Sequence, residues 1–342
     1  MAALNLVGSF VFVMRGAAKA SPGSSPFALL RRLKIVLAWL RNLRLLRSML
    51  CETENPGLDR ALRERPEMLG VAVWPYMHAG WDFDQKVSAV EDHYRQVALI
   101  APTLDLSVHD SLLVASLDNI RPGLRLVLDR APWFMREGEL VLNIFARDQR
   151  LFSLAFSLGL DGERSVVRVG GLQGVRDANI LDLYRELTKS MHGLRPRDFL
   201  LDSLKSLSSA LGIKTIWAIA DANRQNRHAY FGEGKLQNLE GDYDEVWREH
   251  GGVLCESGFC ELSSQIECRS TEDIPSKKRS MYRKRYEFLE SLGAAIAASC
   301  TDGSVGHISN LVYRSTPPQG AGSASSSTTA GNETDEPSSS VE

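Results

Sequence analysis

The stretch Glu139-Leu140-Val141-Leu142-Asn143-Ile144-Phe145-Ala146, then Arg147-Asp148-Gln149-Arg150, then Leu151-Phe152-Ser153-Leu154-Ala155-Phe156-Ser157-Leu158 decides the fold. Two apolar runs of strand length flank a short charged turn, which is the pattern of an antiparallel hairpin. Runs at 124–128 and 166–172 have the same character, the latter set off by Asp161-Gly162-Glu163, so the middle of the chain reads as an antiparallel meander. Before it, Val87, Val90, Tyr94, Val97 and Leu99 recur at helical spacing and predict a helix over 84–100. After it come helices at 180–191 and 196–211, a strand at 215–220, a helix near 243–250 and a strand at 258–262. A last helix follows over 276–298, with Ser276 placed to cap it after Pro275. Strands first and helix–strand alternation afterwards define an α+β class: a mixed, largely antiparallel sheet with flanking helices in one domain.

Composition excludes several functions. The 342 residues carry 40 Lys+Arg against 42 Asp+Glu, a formal charge of −2, so no whole-molecule basic field points to nucleic acid and any such contact is local. Five cysteines are too few, and odd in number, for a disulfide framework, so a reducing, cytoplasmic setting is expected. Cys255, Cys260 and Cys268 lack the close pair of a zinc knuckle, and no metal is expected. No apolar run reaches the ~20 residues of a membrane span. The apolar stretch 6–14 has no Lys or Arg before it and is not read as a signal peptide.

Charge divides the chain into three parts. Residues 1–50 hold Arg15, Lys19, Arg31, Arg32, Lys34, Arg41, Arg44 and Arg47 and no acidic residue, a basic amphipathic arm. Leu29, Leu33, Val36, Leu40, Leu43 and Leu50 lie at helical spacing in it. Two readings fit: peripheral contact with the inner-membrane surface, or a helix docked by its leucine stripe on the domain that follows. Residues 51–314 form the α+β domain, with a core at about 123–265 and a basic helix at 276–298. Residues 315–342, with eight Ser, four Thr and no aromatic residue, predict a disordered tail.

Several short motifs then carry a resemblance. They are Glu91-Asp92-His93-Tyr94, Gly138-Glu139-Leu140, the Leu151 to Ser157 run, Gly170-Gly171-Leu172-Gln173-Gly174, Leu187-Thr188-Lys189 and His192-Gly193-Leu194-Arg195-Pro196-Arg197. Asp242-Tyr243-Asp244 with Trp247 follows, and then Ser276-Lys277-Lys278-Arg279-Ser280-Met281-Tyr282-Arg283-Lys284-Arg285-Tyr286. In this order, over residues 58–298, they resemble the VirK/YbjX family of Gram-negative bacterial proteins. The resemblance implies links to virulence, resistance to cationic antimicrobial peptides and the DNA-damage or stress response, without an assigned activity. The chain departs from the family pattern at Asp221-Ala222-Asn223-Arg224-Gln225-Asn226-Arg227-His228, where Ser-Asn-x-x-His is expected.

Anion-binding candidates form three groups: Gly170, Gly171 and Gly174 after a predicted strand; Gly193, Arg195 and Arg197 around Pro196 at a helix start; and Lys277, Lys278, Arg279, Arg283 and Arg285 in the last helix. Glycines allow backbone to approach a ligand, and a helix N-terminus with arginines favours a phosphate. This layout is similar at the fold level to GNAT acyltransferases, where a helix N-terminus holds the pyrophosphate of acyl coenzyme A. Two functions therefore stay open, a non-enzymatic anion-binding accessory protein and a GNAT-like acyltransferase using acyl coenzyme A. Glu139, His192, Asp242, Asp244 and His250 are the candidate bases for the second. For each group a structural reading stands beside the functional one: a bulge at the glycines, arginines paired with Asp198 and Asp202, an N-cap at Asp242, a helix end at His250.

Overall fold

The computed structural model describes residues 6–50, 55–175, 180–232, 242–270, 272–301 and 307–309. Helices α1 (Leu6–Ala20), α2 (Pro26–Arg41), α3 (Leu43–Leu50), α4 (Pro56–Glu64) and α5 (Phe83–Ile100) precede the sheet. Strands β1 (Asp110–Ser116), β2 (Leu124–Asp129), β3 (Leu140–Ala146), β4 (Gln149–Asp161) and β5 (Arg164–Gly174) run antiparallel. Helices α6 (Ile180–Ser190) and α7 (Pro196–Ala210) cross to β6 (Thr215–Ile219), which pairs parallel with β5. The chain continues through α8 (Tyr243–Glu249), β7 (Val253–Leu254), β8 (Phe259–Ser263), α9 (Arg279–Thr301) and β9 (His307–Ser309). Among the described residues these strands form one nine-stranded sheet, in the order β7-β8-β6-β5-β4-β3-β2-β1-β9, with a single parallel pair. This is the mixed, largely antiparallel α+β sheet that the sequence pattern calls for.

Strand β3 is buried along almost its whole length on both faces, because α7 lies against β3 to β6 and α5 against β4. The face carrying Glu139 receives Tyr94 of α5. Tyr94 donates to Glu139 Oε2 at 2.7 Å, Tyr76 donates to Oε1 at 3.2 Å, and Arg130 donates to Oε2 at 3.3 Å. All four side chains are buried. Glu139 is thus no base at an open site. It closes a charged network that ties the N-terminal helices to the sheet, apart from the other candidate bases.

The N-terminal arm is also folded differently from its leucine stripe. Helix α2 buries Ala28, Ile35, Val36 and Trp39, whereas Leu29, Leu33, Leu40 and the neighbouring Leu43 face outward. Trp39 sets this rotation: its indole donates to the Leu69 carbonyl at 2.8 Å and meets Phe83 edge-on at 4.8 Å. A buried tryptophan gains both apolar contact and a partner for its N–H, which outweighs any one leucine. Ser276 does not cap the last helix. It begins a 3-10 turn, Ser276–Lys278, with no side-chain cap. The predicted tail, 315–342, lies outside the described residues.

Replacing one member of a buried ion pair strands its partner, at a cost of about 3–5 kcal/mol. Glu139→Leu is therefore expected to lose stability on that scale in urea denaturation, and a variant as stable as the parent would contradict the role given to Glu139.

Candidate functional site

Helix α6 presents Leu181, Tyr184, Arg185, Thr188 and Lys189 on one side, at spacings of three and four residues. The 3-10 turn Ser276–Lys278 and the start of the last helix do the same with Lys277, and with Ser280, Met281 and Lys284. Between these two faces lies an open cleft of about 940 Å³, with Phe152 of β4 and the loop His192 to Arg197 completing its walls. Two motifs far apart in sequence meet here because Arg285 donates from Nε and Nη2 to the His192 carbonyl, at 3.1 and 3.0 Å. His192 and Gly193 are both left-handed, at φ 55° and 82°. A side chain on Gly193 would meet Arg285 Nη2 at 2.8 Å, so the absence of a Cβ lets the guanidinium reach. Tyr184 pins α6 to the sheet: its hydroxyl donates to the Leu151 carbonyl at 2.6 Å and accepts from Val175 N at 3.0 Å.

The cationic candidates separate by what they already hold. Arg195 and Arg197 both reach the Glu249 carboxylate, and both also bond Asp198. Their charge is largely matched by the protein's own acids, with Glu249 rather than Asp202 as the second partner. Arg279 donates to the Ile274 carbonyl at 3.2 Å, and Arg283 meets Glu287 at 3.8 Å on the exposed side of the helix. Lys278 does not line the cleft. Lys189, Lys277 and Lys284 do line it, are exposed, and have no ion-pair partner among the described residues. Phe152, Leu181, Tyr184 and Met281 supply an apolar floor between these charges. The walls thus match a ligand with an anionic head and an apolar part.

The glycine motif is not a phosphate loop. Gly170 and Gly171 lie inside β5, and Gly170 is the extra residue of a bulge, since Ala155 pairs with Gly171 and Phe156 with Val169. A Cβ at Gly170 would collide with the Glu137 carbonyl, and one at Gly171 with the Glu137 carboxylate, each at 2.1 Å. The glycines make room for an internal acid, Glu137, whose own atoms fill the space a ligand would need. Gly174 abuts Phe152 and Tyr184 beneath the cleft.

Glu137 itself has no counterpart among the sequence-based candidates, although two adjacent glycines inside a strand signal that something bulky crosses it. Its carboxylate accepts from Gln173 Nε2 at 2.9 and 3.0 Å and from Gln225 Nε2 at 3.3 Å. Burial pushes its carboxyl up to about 7, against the opposing pull of Arg224. The β5–β6 pairing stops at Val169 and Ala218, and α8 fills the divergence. Tyr243 donates to the Leu172 carbonyl at 2.9 Å and accepts from Leu172 N at 2.7 Å, while Trp247 donates to the Ile219 carbonyl at 2.8 Å.

The remaining base candidates are occupied structurally. Asp242 caps α8 by accepting from Glu245 N at 3.1 Å, and Asp244 accepts from Asp221 N at 2.8 Å. His250 lies in a separate cavity of about 410 Å³, with Nε2 3.4 Å from Asp198 and Nδ1 3.7 Å from Asp202. Both ring nitrogens face carboxylates, and none of these three side chains lines the large cleft. Of the five candidate bases only His192 lines the large cleft.

Fold and site together define an α+β protein with a lysine-bearing, apolar-floored cleft. Residues 26–298 match the family described as protein of unknown function DUF535, and the chain belongs to that family, which is the VirK/YbjX family. It is 25% identical to YbjX of Escherichia coli K12 over 249 residues, 71% of this chain and 74% of YbjX. An uncharacterised protein of Haemophilus influenzae is 30% identical over 181 residues, 53% of this chain and 59% of that protein. The membrane protein LapB of Mannheimia haemolytica is 22% identical over 196 residues, 56% of this chain and 83% of LapB. The match thus spans just over half the length of the Haemophilus relative. No solved structure matches the chain. Among the described residues no helix is long and apolar enough to cross a membrane.

Because folded Glu137 keeps its proton up to about pH 7 while a free side chain loses it near 4.5, its contribution to stability is full at low pH and is lost as pH rises through 7. The parent should lose roughly 2–3 kcal/mol more than Glu137→Gln between pH 5 and 8, as 1.36 kcal/mol per pKa unit requires. Parallel stability curves for the two proteins in urea titrations across that range would contradict it.

Proposed function

We propose that this chain is a non-enzymatic accessory protein whose large cleft holds a phosphorylated amphiphile. The observation that supports this is the placement of three lysines without an ion-pair partner among the described residues, Lys189, Lys277 and Lys284, around an apolar floor of Phe152, Leu181, Tyr184 and Met281. A volume of about 940 Å³ is at the upper end for small-molecule sites and far exceeds what a lone phosphate fills. Motifs that carry the family resemblance, at Thr188-Lys189, His192 to Arg197 and Lys277 to Lys284, border this one space. On this reading the virulence, antimicrobial-peptide and stress associations of the family follow from retention of an envelope amphiphile with a phosphate head.

The second reading, a GNAT-like acyltransferase, is favoured by one feature, the α6–α7 crossover between parallel β5 and β6 with the start of α7 at the cleft wall. Lys277 and Lys284 suit the phosphates of acyl coenzyme A, and the apolar floor suits its acyl chain. Against the chemistry stands the engagement of four of the five candidate bases elsewhere.

Titration calorimetry of the whole protein with palmitoyl coenzyme A and with inorganic phosphate tests both readings. Binding of the amphiphile is expected, and Lys277→Ala with Lys284→Ala should weaken it at least tenfold, a charged hydrogen bond being worth about 1.5–3 kcal/mol. Both lysines are exposed, so the melting temperature should not move. Equal affinity in the double variant, or no binding by the parent, would contradict the cleft assignment. Acyl transfer from the thioester to an added amine would favour the enzyme over the accessory protein.

A further inference from the structure

Among the described residues no element covers the outer face of α1 and α2, and most of the large hydrophobic side chains that these residues leave exposed lie on the two helices. On α1 the exposed side chains are Val7, Phe10, Val11 and Met14, at i, i+3, i+4 and i+7. On α2 they include Leu29, Leu30, Leu33 and Leu40, and all eight are between 40 and 70% exposed. The inner faces of the two helices rest on the same 3-10 turn, Pro66–Ala72. Gly16 of α1 is so close that a Cβ would meet the Pro66 carbonyl at 2.5 Å, and Trp39 of α2 bonds the Leu69 carbonyl. Their outer faces therefore look away from the body together.

Isolated exposed leucines are ordinary, but a contiguous patch on two adjoining helices marks a docking surface. Charge selects the occupant. Arg15, Lys19, Lys34 and Arg41 are exposed beside the patch, and residues 1–50 contain no acid to neutralise them. Arg31 and Arg32 are turned inward instead, Arg31 over the Phe27 and Tyr230 rings and Arg32 to the Ser21 carbonyl. Neither helix is long and apolar enough to cross a bilayer. An apolar face flanked by exposed cations, on helices too short to span, matches the headgroup boundary of an anionic membrane.

We infer that the α1–α2 face is an in-plane docking surface for an anionic phospholipid bilayer. Helices α1 and α2 lie flat on the membrane, the leucines and Phe10 enter the acyl boundary, and the cations meet phosphate headgroups. The surface is separate from the large cleft and does not depend on its ligand.

Sedimentation of the full chain with vesicles tests this. Vesicles of phosphatidylglycerol mixed with phosphatidylcholine should pellet the protein at least tenfold more than phosphatidylcholine alone, and the excess should fall as salt is raised. Val11→Asp with Leu33→Asp should abolish the pelleting with no change in the thermal melt, both residues being exposed. Lys277→Ala with Lys284→Ala should leave pelleting intact. Failure of the parent to pellet, or equal pelleting by the Val11/Leu33 variant, would overturn the inference. A dimer in light scattering that the same two substitutions dissociate, without vesicle binding, would assign the face to a second copy instead.

Discussion

Two hydrogen bonds from the Arg285 guanidinium to one main-chain oxygen, that of His192, fix where the cationic cleft stands. They join residues 93 positions apart and require a left-handed His192–Gly193 corner without a Cβ at the second residue. Packing of the last helix on α7, with Phe288 stacked on Phe199, holds it beside the sheet, and the Arg285 grip ties its lysine-bearing start to the turn that follows α6. Stacking of Arg285 on the Tyr282 ring, 4.4 Å from its centroid, holds the guanidinium in position for the contact.

Behind the cleft the protein spends most of its other charged groups on itself. Arg130, Glu139, Tyr94 and Tyr76 bond one another under α5, and Arg150 with Asp129, Asn143 and Ser153 forms a second buried cluster on β2 to β4. Glu137 and Tyr243 seal the place where β5 and β6 part. Buried charges without partners are costly, so such groups are committed to structure, and function falls to charges left in water. Among the described cations of the cleft, that leaves the three lysines.

Much of the fold was legible in the sequence. The meander follows from alternating apolar runs and charged turns, and α5 through α9 follow from helical spacing and their flanking prolines and acids. Strand β1 was missed because Asp110 to Ser116 is a single short run whose apolar residues, Leu112 to Ala115, are consecutive and show no alternation. The rotation of α2 was misjudged because periodicity weighs Leu29, Leu33 and Leu40 equally with Trp39, whereas a buried indole needs one particular acceptor. The site was legible only in part. The spacing of Lys277, Ser280, Met281 and Lys284 already defines one helical face, but the pairing of Arg195 and Arg197 with Glu249 spans more than fifty residues and leaves no local trace. Nor does composition tell a glycine that cradles a phosphate from one that makes way for Glu137.

The common cleft is tested most directly by lysine labelling. Reductive methylation followed by mass spectrometry, on the intact protein with and without palmitoyl coenzyme A, reads each ammonium group separately. Simultaneous protection of Lys189, Lys277 and Lys284, with Lys278 labelled to the same extent in both samples, is the expected result. Protection of only one of the three, or of Lys278 as strongly as Lys277, would contradict a single ligand held between α6 and the last helix.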